Sequence, residues 1–517
     1  MTEAERQCRA ERLPFSEIFR YQYLISRQQV AITGMARRRF GRFHLYIGQA
    51  LPVTELLDCE GAPIGLLLGV AVAPEGALGA SHMVPRLSAR SDDCLDEFES
   101  WLIDLAGRYT IVLDMADEQR VYCDPVGMNG VVYNPQTRRV ASSPLLCIDR
   151  EVMPNPLYDF DALREHGGRF TLFTTIDAEV TRMNPNFYLD LANFHETRHW
   201  PREEVFEHSP KDYGRAVDQI IKITRHNIGA LAAAHDCVMP LSAGRDSRLL
   251  LAMAGPHRDK ISQFFTHVTN AGTRRDAEVA RDISQKLGVP HEVHMRRPMR
   301  RPRDIQRAER NQRAFQIAAG VVTSAPNEMS LGVQAMIRPG AVVLRGHQTD
   351  LLRAVYVSWT NKAKWKDFHW QMRKLFPVPI EHFTTEVANR FRPLFTNWLQ
   401  TLPRNALEKQ PDFMFLEVFY SASLGSGFPA NWHCFYLSPF NSRRLMTLAL
   451  GFDDAYRLSG RTVDDVLFRI DPDLAAIPFG LEWSPDAEVY PLAQSRVEEA
   501  EQRHGELFPQ KHLRKAG

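Results

Sequence analysis

A chain of 517 residues with 63 Lys+Arg against 62 Asp+Glu has a formal charge of +1, so no global field draws it to nucleic acid or to an anionic membrane. Its length points to more than one domain, no stretch approaches the roughly 20 apolar residues of a spanning helix, and the polar start from Met1 to Arg12 is unlike a signal peptide, so a cytoplasmic protein is expected. Seven scattered cysteines without a Cys-x-x-Cys pair argue against a disulfide framework and a structural zinc site.

From about residue 20 to 200 the apolar residues alternate or form short runs, as in Tyr109–Leu113, Val121–Cys123, Val131–Tyr133 and Arg139–Ala141, divided by turn residues. That pattern predicts antiparallel strands and hairpins. A charged, proline-bearing stretch from Arg202 to Asp212 reads as a linker. Beyond it the spacing predicts a helix over Tyr213–Ala234, a strand Cys237–Leu241, a helix Ser247–Ala254, a strand Gln263–Val268, a helix Arg274–Leu287 and a short strand near His291–His294. A strand Ala341–Leu344 extends the series, and helical spacing dominates to about residue 470. Strands alternating with helices imply a parallel sheet with crossovers.

Within this series Val-Met-Pro-Leu-Ser-Ala-Gly-Arg-Asp-Ser-Arg-Leu-Leu-Leu, residues 238–251, carries the most chemistry. An apolar strand runs into a Ser/Gly turn that opens directly onto a helix. Small residues there let backbone N–H groups approach a polyanion, and the helix adds the positive end of its dipole. The candidate phosphate loop is Leu241, Ser242, Ala243, Gly244, Arg245, Asp246 and Ser247, with Asp246 as a magnesium ligand. It lacks the glycine spacing and the Gly-Lys-Ser/Thr ending of a Walker loop.

The loop resembles the Ser-Gly-Gly-x-Asp-Ser pyrophosphate loop of the asparagine synthetase family, with Ala243 in place of one glycine. Other segments match that family in the same order. Leu105-Ala-Gly-Arg-Tyr-Thr-Ile-Val-Leu113, Cys123-Asp-Pro-Val-Gly127 and Val140-Ala-Ser-Ser143 resemble core strands of its N-terminal domain, and residues Phe170 to Pro201 resemble the exit from it. Leu344-Arg-Gly-His-Gln-Thr-Asp350 resembles the Gly-x-Gly-x-Asp loop, and Leu437-Ser-Pro-Phe-Asn-Ser-Arg-Arg444 the Pro-Phe-Leu-Asp segment.

The resemblance implies an α/β and α+β fold in two domains. Residues 1–205 would form an Ntn-amidohydrolase-like, antiparallel β-rich domain, and residues 210–517 a PP-loop (adenine nucleotide α-hydrolase-like) parallel α/β domain with a helical cap. It implies an ATP-dependent amide ligase in specialised metabolite or peptide maturation. A carboxylate is adenylated with release of pyrophosphate, and ammonia or an amine then forms the amide and frees AMP. Intramolecular β-lactam or macrolactam formation is one alternative, a non-catalytic nucleotide-binding subunit another. ATP and Mg2+ are the implied cofactors; the partners are a small-molecule or peptide carboxylate and an amine, with no membrane or nucleic acid, and a homodimer or biosynthetic partner protein is compatible with them.

Residue by residue, Asp246 and Asp350 would hold Mg2+, as hard oxygen ligands should. Thr266, His267 and Val268 would line the adenine pocket with Gly346 nearby, and Asp276 and Ala280 fit the following helix. His347 stands beside the acyl-adenylate position, where an imidazole near its unperturbed pKa of about 6.5 takes a proton from the amine; the alternative is a histidine that only hydrogen-bonds within its loop. Arg443 and Arg444 are either buried helix-start residues or phosphate contacts. The chain departs from the family pattern in several places. Thr2 stands where a working glutaminase exposes cysteine, so the first domain is expected to be inactive, and Cys8 matches no motif. Gln348 and Leu351 replace a glycine and an acid, and Leu474-Ala-Ala-Ile-Pro-Phe-Gly-Leu481 lacks the family's lysine, for which Arg461, Arg469 or Lys511 are stand-ins.

Three further signals compete. His195-Glu-Thr-Arg-His199 is a literal zinc-protease signature, which requires a helix, but the approach through Phe187-Tyr-Leu-Asp and the exit at Trp200-Pro201 read as a strand. The run Arg296 to Arg303 is a solvated basic loop or a guide for an acidic acceptor. Trp359 to Trp370 has the composition of a stacking platform and is expected to be an amphipathic cap helix.

Overall fold

A computed structural model describes residues 1–296, 301–359, 368–376, 384–480, 482–484, 487 and 490–508 of this mixed α/β protein. Between Tyr23 and Arg198 the strands form two sheets. A six-stranded sheet is built on Tyr23–Ser26, paired antiparallel with Phe43–Ile47 and Arg139–Ala141. An eight-stranded sheet is built on Pro63–Ala73 and Ala106–Met115, antiparallel from Gly65↔Leu113 to Val72↔Ala106, and is mixed because Val53–Leu57 pairs parallel with Ser81–Met83.

Alternation along the strands sets the layers. Tyr23 and Ile25 point between the sheets into a core shared with Leu66, Leu68, Val112 and Val121. Leu24 points the other way, into a cluster with Ala4, Cys8, Ala314 and Ile317 from helices Glu3–Ala10 and Pro302–Ala319. On the far face of the eight-stranded sheet, Leu67, Tyr109 and Ile111 pack against Phe98 and Leu102 of helix Cys94–Asp104. Helix, sheet, sheet and helix therefore lie in that order.

The third sheet has five strands and is parallel throughout. We number them β1 (Cys237–Pro240), β2 (Gln263–Val268), β3 (His291–Met295), β4 (Val342–Leu344) and β5 (Phe435–Leu437); their spatial order is β3-β2-β1-β4-β5. The helices are α1 (Tyr213–Ala234), α2 (Arg245–Met253), α3 (Ala271–Leu287) and α4 (Pro302–Ala319). Met239, Phe264 and Leu344 share a core with Ile220 and Ile228 of α1, Leu250 of α2 and Val279 of α3. Val238, Phe265 and Val343 share the other, with Ala314 and Ile317 of α4.

The chain steps outward from β1 through β2 to β3, then returns by way of α4 to place β4 on the opposite flank of β1. The order thus reverses between β1 and β4, and in open α/β sheets the crevice beyond the strand ends at such a reversal is where ligands bind. The two candidate loops leave β1 and β4 at that crevice.

Local chemistry corrects some expected boundaries. Helix α3 starts at Ala271 rather than Arg274 because Asn270 and Thr273 close a capping box. Helix α2 begins at Arg245, directly after the loop glycine, rather than at Ser247. All seven cysteines are unpaired and, Cys59 apart, buried. Of the aromatic stretch Trp359 to Trp370, residues 360–367 lie outside the described residues, and its flanks belong to helices Val355–Trp359 and Phe368–Leu375. No described helix is long and apolar enough to cross a membrane.

Candidate functional site

The loop after β1 is held from both sides. Leu241 N–H donates to Phe265 O at 2.8 Å. The Thr266 hydroxyl donates to Leu241 O at 2.8 Å and lies 2.9 Å from His291 Nε2, so this threonine knits β1 to β2 and β3. Ala243 N–H donates to Asp276 Oδ1 at 3.0 Å, Gly244 N–H to Ser242 Oγ at 3.1 Å, and the Ser242 and Ser247 hydroxyls are 2.8 Å apart. Helix α2 has no side-chain cap, which leaves its first-turn N–H groups facing outward beside the loop.

The loop after β4 closes against it. A Cβ added at Gly346 would lie 2.8 Å from Asp246 Cβ and 3.0 Å from the Asp246 carbonyl, so only glycine permits this approach. The turn that follows brings the second carboxylate in. Arg353 Nη2 lies 2.8 and 2.9 Å from the two oxygens of Asp246 and 2.7 Å from Asp350 Oδ1. Thr349 Oγ1 donates to Asp246 at 2.8 Å, and the Tyr420 hydroxyl donates to Asp350 Oδ2 at 2.7 Å. Burial, with the Asp246 charge second, pushes the Asp350 carboxyl up to about 6 against the pull of Tyr420 and Arg353. A cavity of about 250 Å³ opens here, lined by Ser242, Asp246, Ser247, Gly346, His347 and Asp350 among others.

His347 is placed at the site but with chemistry that corrects the expectation of a group titrating near neutrality. Burial, reinforced by Arg345, holds its pKa down to about 3. The ring stands edge-on to Tyr420 and Phe428, with centroids 5.9 and 5.5 Å away, and is neutral at pH 7. Gln348 is fully buried at φ +68°, and neither atom of its amide has a hydrogen-bond partner.

Neither described stand-in for the lysine of the family pattern, Arg461 or Arg469, lines the cavity. Arg469 is bound to Asp218 at 3.0 Å and covers Phe508, Arg461 is exposed, and Lys511 lies outside the described residues. The expected segment nevertheless reaches the loop, because Arg248 of α2 donates to Ile477 O and, at 2.9 Å, to Pro478 O. Cations at the site are Arg353, which contacts both acids, and Arg345, which lines the cavity and pairs with Glu328 at 3.1 Å, while Arg245 at the start of α2 lies over the Phe479 ring at 4.6 Å. Arg443 and Arg444 are structural. Arg443, fully buried, donates to Cys123 O and Pro185 O at 3.1 and 2.9 Å, and Arg444 pairs with Asp104 at 2.7 Å.

Of the adenine-pocket candidates, Val268 is buried, while His267 lines a separate groove of about 930 Å³ with His294, Arg296, Arg301 and Arg307. Residues 297–300 of the basic run are outside the described residues. The zinc signature lies on the strand His195–Arg198, where Glu196 pairs with Leu189. At about 3.3 Å per residue a strand separates positions 195 and 199 by about 13 Å, too far to share an ion. His195 is exposed and His199 is buried against Tyr122. Among the described residues no group of three or more His, Cys, Asp and Glu is arranged to hold a metal.

Sequence reasoning missed Arg353 and Tyr420. Arg353 follows Asp350 by one turn, a spacing that puts both on one side of a helix, whereas Tyr420 reaches Asp350 from 70 residues away and leaves no local signal. No protein-family model matches the sequence, and no curated protein matches it.

Proposed function

We propose that the protein is an ATP-dependent, AMP-forming amide ligase of the asparagine-synthetase type, with a PP-loop domain after residue 210 and an Ntn-amidohydrolase-like domain, inactive as a glutaminase, before residue 205. One observation carries the reading: at the reversal point of a parallel sheet, a Ser/Gly loop opening an uncapped helix faces a second loop, and both loops deliver a carboxylate to the same point. The helix–sheet–sheet–helix layering supports the first-domain assignment. So does Cys8, whose thiol burial pushes up to about 12 on a helix packed against α4, an environment unsuited to a nucleophile.

The donor set suits magnesium, which takes one or two carboxylates and fills its remaining positions with water and phosphate oxygens. Asp246 and Asp350 would hold it, and it would supply charge neutralisation on the phosphates. The chain's own groups do the rest. The Ser242–Ser247 loop and the first turn of α2 present N–H dipoles to the leaving pyrophosphate. Tyr420 fixes the orientation of Asp350, and Arg345 and Arg353 supply positive charge in place of a lysine. A carboxylate substrate attacks the α-phosphorus and displaces pyrophosphate; ammonia or an amine then attacks the acyl carbon and displaces AMP, its proton passing to the departing phosphate or to water. His347, neutral and enclosed by aromatic rings, orients the acceptor as a hydrogen-bonding group instead of removing its proton.

The test is calorimetric binding of a non-hydrolysable α,β-substituted ATP analogue with Mg2+ to wild type and to Asp246→Ala. Wild type is expected to bind only with Mg2+, and the variant to bind at least about tenfold more weakly, since even groups that support a metal ligand are worth about 10–100-fold in metal affinity. A folded wild type that does not bind would overturn the reading. The neutralisation of both carboxylates by Arg353 favours a second reading, a non-catalytic nucleotide-binding subunit. Release of AMP and pyrophosphate during turnover with an acceptor would exclude it.

A further inference from the structure

Among the arginines that meet acids in this half of the chain, Arg457 and Arg353 do so differently. Arg457, fully buried, grips Asp412 as a fork, Nη1 at 3.1 Å and Nη2 at 2.7 Å, reaches Asp454 with the same Nη2 at 2.6 Å, and also donates to Leu351 O at 3.0 Å. That is the bidentate geometry of a permanent structural pair. Arg353 likewise sets one nitrogen, Nη2, between two carboxylates, those of Asp246 and Asp350, but it makes no fork to either partner and its side chain is 24% exposed where that of Arg457 is fully buried. One nitrogen set between two carboxylates stands where a point cation would stand. The turn that carries it, Thr349–Arg353, is bounded by Gln348 at φ +68° and Ala354 at φ +45°, two non-glycine residues in the left-handed region. Such a turn is held by its surroundings and has conformational energy to release on rearranging.

We infer that Arg353 is a displaceable counter-ion, a built-in competitor that occupies the Asp246–Asp350 pair until a divalent cation takes it. Without the guanidinium, two carboxylates this close would repel each other and draw in a stray cation. With it they stay paired and charge-compensated until an ion arrives with phosphates that can themselves accept the freed guanidinium. The inference rests on the reading of this pair as a cation site, but metal binding tests it independently of nucleotide.

The probe is Mn2+ alone, titrated into the full chain and followed by electron paramagnetic resonance, for wild type, Arg353→Met and Arg353→Lys. Arg353→Met is expected to bind one Mn2+ at least about tenfold more tightly than wild type, a change of about 1.4 kcal/mol. Arg353→Lys keeps the charge and is expected to stay near wild type, and adding Asp246→Asn to Arg353→Met is expected to abolish the gain. Should Arg353→Met fail to fold, Arg353→Gln carries the same expectation. Equal Mn2+ affinity in wild type and the neutral variant would overturn the inference. Tighter Mn2+ binding without any nucleotide binding would instead sustain the counter-ion and overturn the ligase.

Discussion

Glu196, in the middle of the zinc-protease signature, shows how one side chain can be read wrongly by motif and rightly by environment. Its Oε2 accepts from Asn184 N–H at 3.0 Å, and desolvation pushes its carboxyl from 4.5 up to about 7. A carboxyl raised in the fold favours the protonated state, so its stabilising contribution is complete below pH 4.5 and is lost as pH rises through about 7. Glu196→Gln, which preserves shape and an acceptor, is therefore expected to raise stability at about pH 8 and leave it nearly unchanged at about pH 4, as urea unfolding would read. Equal effects at the two pH values would contradict this. His347 teaches the same lesson from the other side: the sequence presents an imidazole, and only packing against Tyr420 and Phe428 tells that it is neutral.

Among the elements, the π-helix Met414–Tyr420 links distant regions. Its Glu417 is fully buried and accepts from Arg198 at 2.6 and 3.0 Å, Trp398 Nε1 at 2.8 Å, Asn184 at 3.0 Å and Asn186 at 3.1 Å. Three residues on, Tyr420 holds Asp350. Arg198→Met leaves that carboxylate buried without its cation and is expected to cost about 3–5 kcal/mol in urea unfolding. In wild type burial is outweighed by Arg198 and the other donors, which hold Glu417 below its ordinary value, so its stabilisation is present at neutral pH and lost toward acid; without Arg198 burial dominates, and the variant's deficit relative to wild type is expected to be largest at neutral pH and to shrink toward acid. A loss below about 1 kcal/mol would mean that the pair is solvated. Strands and helices around the Ser242–Ser247 loop were legible because β1, β2 and α1 carry clean apolar periods and punctuated ends, as Gln263–Val268 and Tyr213–Ala234 show. The π-helix was not, since its role comes from partners such as Arg198, 219 residues away, that no local pattern encodes.

Across the whole molecule the two halves share their interior. One apolar core runs from Tyr23 and Val112 to Met239 and Phe435, and a second joins Leu24 and Val132 to Ala314 and Val343. Polar ties cross the same boundary. Arg108 donates to Tyr436 O at 3.3 Å and stacks 4.1 Å over Phe435, Arg182 reaches Ser426 at 2.7 Å, and Asn441 donates to Gly107 O and Asp124 at 2.7 and 2.8 Å. A fragment starting at Lys211 would expose these apolar faces and strand Arg443, so it is expected to aggregate or to lack fixed tertiary structure by near-UV circular dichroism. A fragment with native-like signals would show that the half bearing the Ser242–Ser247 loop folds alone. The fully buried Arg443, whose every named acceptor belongs to the other half, sets the terms for chimeras. A chimera that exchanges the loop-bearing half must present backbone carbonyls at the positions of Cys123 and Pro185, or it leaves a buried guanidinium without partners.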